Sequence, residues 1–244
     1  MLYNLINLVV GLFFLIGAFI AFKNKKNKNI INFSVGMAFS VLLLLLIVDI
    51  APETFELFDK NAIIWVIGCS LIGIGILFIL EKIVPHHDHF EEEKHHHHNN
   101  HLAHIGTMTS LALIIHNLVE GMSIYGVASN DLKTGLIYAF AVGLHNIPFG
   151  IEITAMFEGD KNPKRTWTYL ILLSLSTFIG GLFLFFLGNL LTNKLLGILL
   201  GITIGMILYL VFNELLVELK EKYNKYSTYG IITGIILILI GVLL

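Results

Sequence analysis

Residues 105–127 read IGTMTSLALIIHNLVEGMSIYGV. A bilayer crossing needs roughly 20 mainly apolar residues, and this run is long enough, yet it carries His116, Asn117 and Glu120. Such groups are expensive in hydrocarbon and face a bundle interior or a cavity, where they do work. The pattern nearly returns twenty-nine residues later: HNLVEG at 116–121 is followed by HNIPFG at 145–150, inside a second apolar run. The two stretches together predict an all-α, polytopic membrane protein whose polar side chains converge between helices.

Composition agrees. The 244 residues are 56% hydrophobic and 13% charged, with a mean hydropathy of +0.83, where soluble proteins carry roughly a quarter charged residues. A net charge of −2 without a basic, aromatic-interleaved patch leaves no footing for nucleic acid. The single cysteine, Cys69, excludes an intrachain disulfide framework and a cysteine-based zinc cluster. The basic run from Lys23 follows the first apolar segment instead of preceding it, so that segment reads as a retained span rather than a signal peptide.

Eight segments qualify as spans, at about 3–22, 33–51, 62–84, 105–127, 134–157, 168–190, 195–217 and 228–244. With alternating loops, twelve of the fifteen Lys and Arg residues fall on one side and only Lys60, Lys133 and Lys194 on the other. The positive-inside rule then puts both termini outside, and the chain is expected in the plasma membrane as a multi-pass protein. Residues 1–244 read as a single transmembrane domain. Between spans three and four, residues 85–104 (PHHDHFEEEKHHHHNNHLAH) form a His-rich cytoplasmic loop, expected to be disordered. It holds His86, His87, His89, His95, His96, His97, His98, His101 and His104, able to hold divalent metal loosely.

Spans two and seven match. Gly36, Asp49 and Glu53 have the spacing of Gly201, Glu214 and Glu218. Spans two and seven run in opposite directions, as do the two HN-bearing spans, which predicts inverted repeats with a site where the halves meet. Asp49 and Glu53 then stand at the outer end of span two, suited to attracting a cation, and Glu214 and Glu218 at the inner end of span seven, suited to its exit.

On a helix, residues four apart share a face. His116 and Glu120 thus form a two-ligand arrangement for Zn²⁺ or a similar cation, with Asn117 beside them offering a carbonyl oxygen. In span five, His145 and Glu152 are seven apart and nearly in line. Phe149 occupies the place between them with a ring that cannot ligate. Pro148 cannot donate to the carbonyl of Leu144, and such freed backbone must face protein or water. The alternative, interhelical hydrogen bonding as structural glue, explains a lone buried histidine better than two His-Asn pairs with two glutamates.

These residues resemble the ZIP (Zrt/Irt-like) divalent-metal transporters. HNLVEG is similar to that family's span-four motif HNxPEG, HNIPFG to its span-five motif HNIPEG, and DIAPE and NELLVE to its ends of spans two and seven. The resemblance implies eight spans, outward termini and a His-rich third loop. It also implies that His116, Glu120 and His145 ligate a primary metal, with Asn117 and Asn146 at an adjacent secondary position. Two departures stand out. Phe149 replaces the glutamate that bridges both positions, and span six, LSLSTFIGGLFLFF, lacks the acid often found there.

The expected function is transport of a divalent cation (zinc, iron or manganese) toward the cytoplasm by alternating access, with Glu152 joining the site if Pro148 rotates span five. The metal is substrate, and no resident cofactor is expected. A membrane sensor that binds without transporting is the second reading. An intramembrane metallohydrolase is a third, set back because Asn117 stands where a general base would be needed; no enzyme activity is expected. Small-residue-rich helices of this kind also suit a homodimer face.

Overall fold

A computed structural model of the chain describes residues 1–24, 29–58, 61–83, 94–157, 163–188, 192–221 and 223–243. Every regular element among them is helical: α1 (Leu2–Asn24), α2 (Ile30–Leu57), α3 (Ala62–Ile83), α4 (Lys94–Asn130), α5 (Leu132–Met156), α6 (Pro163–Leu187), α7 (Asn193–Glu221) and α8 (Lys225–Leu243). Helices α1 to α7 are long and apolar enough to cross a membrane, whereas the apolar stretch of α8, Lys225–Gly241, is shorter. The protein is thus a polytopic, all-α membrane protein. Its outward surfaces carry exposed Ile63, Ile64, Leu71, Phe186 and Ile232, as lipid-facing helices should.

Three boundaries differ from expectation. Helix α2 continues past residue 51 to Leu57, and α7 past 217 to Glu221, so their acids lie within helices rather than at span ends. Helix α4 begins at Lys94, which makes residues 94–104 helical instead of a disordered loop. Buried Leu102, Ala103 and Ile105 explain the extension: tertiary packing carries the helix beyond its apolar run. His86, His87 and His89 lie outside the described residues.

Both α2 and α7 contain a π-helical turn, Leu46–Ile50 in one and Leu210–Leu215 in the other. Asp49 lies in the first and Glu214 in the second, the two acids that the sequence repeat aligns. Such turns insert one extra residue into an α-helix and often accompany functional sites. Packing repeats as well. Helix α1 packs on α5 and α6 on α4, while α2 packs on α8 and α7 on α3. Exchanging α1 with α6, α2 with α7, α3 with α8 and α4 with α5 maps each of these pairs onto another. Small residues set the approach: a Cβ on Gly150 would overlap the carbonyl oxygen of Phe14 in α1, and one on Gly121 would overlap that of Thr177 in α6.

A tight hairpin joins α4 to α5. Asp131 alone separates them, and its carboxylate accepts the backbone N–H groups of Lys133 (3.4 Å) and Thr134 (3.0 Å), capping α5. His116 and His145 lie fifteen and fourteen residues from Asp131, so the two helices bring them to nearly the same depth.

Candidate metal site

Position decides which polar groups meet. His116 and Glu120 stand one turn apart on α4, and α5 presents His145 against them. Nε2 of His145 lies 2.9 Å from Oε1 of Glu120, and Nε2 of His116 lies 3.6 Å from the same oxygen. Ligand atoms of all three residues fall within 4.8 Å of one another, and all three side chains are buried. Ligands about 2.0–2.1 Å from a tetrahedral Zn²⁺ are separated by about 3.3 Å, between the two measured distances. Each Nε2 stands at ion-pair distance from Glu120, but neither contact has hydrogen-bond geometry. Buried polar atoms without hydrogen bonds are costly, and these converge where a cation would satisfy them. Three ligands leave an open position, which suits a passing substrate better than a closed structural site.

The neighbours are acidic. Asp49 lies within electrostatic reach of Glu120, His145 and His116, and Glu53 within reach of Asp49, His116 and Glu120. Glu53 accepts a hydrogen bond from Ser123 Oγ at 2.9 Å, which ties α2 to α4. A cleft of about 340 Å³ between α2, α5 and α8 has Asp49 and His145 on its walls, so the triad is approached from this side.

The amides lie apart in role. Asn146 donates from Nδ2 to the carbonyl of Val10 at 3.3 Å, leaving Oδ1 unpaired, while both amide atoms of Asn117 are unpaired. Both residues are wholly buried. Phe149 fills its place with a ring stacked on Phe14 (centroids 6.5 Å apart) and set edgewise to His145 (6.2 Å). Glu152 is not brought into the triad. Seven residues along a helix is a rise of about 10.5 Å, too far from His145 for one coordination sphere, and α5 runs on through Pro148 without a break.

A second group gathers elsewhere. Glu81 of α3, His104 of α4 and Glu214 of α7 bring ligand atoms within 4.8 Å of one another. Tyr209 donates its hydroxyl to Glu81. Glu214 and Glu218 are both buried. Sequence reasoning singled out His104 and Glu214 separately and missed Glu81 and Tyr209. The available signal was an acid at the end of an otherwise apolar third span.

Comparison with known proteins points to one family. The ZIP zinc transporter family model covers residues 85–244. The chain is 26% identical to the zinc transporter ZupT of Streptococcus mutans, over 94% of this chain and 92% of that protein. It is 26% identical to the ZupT of Chlorobaculum parvum, over 98% and 96%, and 24% identical to that of Escherichia fergusonii, over 94% and 91%. With the family model spanning well over half its length, this chain belongs to the ZIP zinc transporter family.

Proposed function

We propose that the protein carries zinc, or a related divalent cation such as iron or manganese, into the cytoplasm across the plasma membrane, with both termini outside. The single observation that carries this reading is the buried His116–Glu120–His145 triad at the end of a cleft with Asp49 on its wall. Asp49 and Glu53 draw the cation in. Imidazole and carboxylate then replace its hydration shell, and the ion leaves when the helices rearrange, in the alternating-access manner of repeat-built transporters. Glu81, His104 and Glu214 offer the next ligand set, with Glu218 beyond it. The metal is the cargo, and the chemistry asks for no resident cofactor. Names of the relatives favour zinc over the other metals that imidazole and carboxylate accept.

Zinc flux into proteoliposomes is the test. Uptake that exceeds empty vesicles and saturates with zinc is expected. Zinc binding by purified protein without flux would instead support a sensor.

A further inference from the structure

Helix α5 presents one stripe to the route: Thr134, Tyr138, Ala141 and His145 line the cleft, and the same stripe continues through Phe149 to Glu152. The cleft ends at His145. Phe149 and Glu152 beyond it are both 0% exposed. Glu152 therefore sits on the far side of an aromatic plug, along the same lining face as the primary ligands.

Its surroundings are unusual for an acid. Neither carboxylate oxygen has a hydrogen-bond partner among the described residues. Helices α1, α2, α4, α6 and α8 pack on α5, yet among the described residues no charged group on them bears electrostatically on Glu152. Arg165 of α6 is directed to Thr107 and the Phe157 ring. His104 of α4 is gathered with Glu81 and Glu214, while Asp49 and Glu53 of α2 and His116 and Glu120 of α4 belong to the cleft side. An isolated carboxylate ion in such a place is far too costly; the group takes up a proton or a cation instead.

Resting on the transport reading above, we infer that Glu152 is a point of proton-for-metal exchange on the route beyond the triad. In the state described it carries a proton. When a dication passes Phe149, the carboxyl O–H bond breaks, its electron pair remains on oxygen to ligate the metal, and the proton leaves to water. When the metal moves on, the carboxylate regains a proton from water. Phe149 and Glu152 thus divide the work: one seals the route, and the other receives the ion once the seal opens.

Infrared difference spectroscopy of the purified full chain tests this directly. Adding zinc chloride well in excess of what fills the triad, so that the weaker position beyond it is also reached, should remove a carboxylic-acid carbonyl stretch in the wild type. That signal should be missing in Glu152→Gln and shifted in Glu152→Asp. In proteoliposomes Glu152→Gln should lower zinc uptake at least tenfold, while calorimetric zinc affinity of the purified variant stays within twofold of wild type. A wild-type spectrum without that acid signal overturns the inference, as does a signal that zinc leaves unchanged. So does wild-type uptake in Glu152→Gln. Absence of zinc flux in the wild type sinks the transport reading, and the infrared signal then judges the exchange alone. If Glu152→Gln fails to fold, the wild-type and Glu152→Asp spectra decide.

Discussion

Nε2 of His145 lies 2.9 Å from Oε1 of Glu120, across a hairpin in which Asp131 is the only residue between the two helices. His116 stands at ion-pair distance from the same carboxylate oxygen, so two imidazoles converge on one acid. Two imidazoles on one carboxylate form a metal-ligand set rather than a lone structural pair. Removing one ligand should exceed the roughly 10–100-fold loss of affinity typical of altering a supporting residue. His116→Ala and Glu120→Ala should each weaken zinc binding by more than about 100-fold and abolish saturable uptake, with expression largely intact. Undiminished uptake in both would remove the site from the transport route.

Asp49 acts at longer range. It lines the cleft and feels the charges of the triad without belonging to it. A charge so placed raises the local concentration of an incoming dication. Asp49→Asn should raise KM for zinc several-fold with little change in kcat. Added salt should narrow the difference between variant and wild type, since screening weakens steering. An effect confined to kcat would instead place Asp49 in the transition between states.

Much of this was legible in the sequence, for local reasons. The i, i+4 spacing of His116 and Glu120 fixes their common face, and two HN pairs symmetric about a short polar break must meet in a hairpin. The span ends were less legible. The apolar windows stop at 51 and 217, just past Asp49 and Glu214, but the helices continue to Leu57 and Glu221, with π-helical turns keeping both acids within hydrogen-bonded backbone. The Glu81–His104–Glu214 group could not be read as a group. It depends on three helices approaching one another, which no local spacing encodes. Glu152 shows the converse limit: seven residues preserve the face of a helix but not the distance along it.

Asp131 offers a prediction about stability rather than transport. Its carboxylate accepts hydrogen bonds from the hydroxyl and N–H of Thr134, which hold its pKa below the usual aspartate value. A depressed folded-state pKa stabilises the fold above the ordinary aspartate value of about 3.9, and that contribution disappears as pH falls through the lower, folded-state value. Asp131→Ala should lower the melting temperature modestly at neutral pH and reduce its dependence on acid, leaving zinc affinity near wild type. A large loss of zinc affinity would show that the hairpin turn sets the His116–His145 register more tightly than its cap alone requires.

Phe149 supports the sharpest expectation. Two dications side by side repel strongly at low dielectric, so a paired site needs an anionic bridge. The ring of Phe149 stands where such a bridge would project, one turn from His145 and stacked on Phe14. Asn117 and Asn146 are neutral, and α6 supplies no acid along its apolar length. Glu152 lies too far along α5 to substitute. One tightly held metal per protomer is therefore expected in the wild type. Phe149→Glu should raise the count to two, as read by native mass spectrometry or anomalous scattering. Because the new carboxylate is buried, it needs a cation to offset its desolvation, so the variant should gain more thermal stability from zinc than the wild type does. Two adjacent metals in the unmodified protein would overturn the single-site reading and require another acid to bridge them.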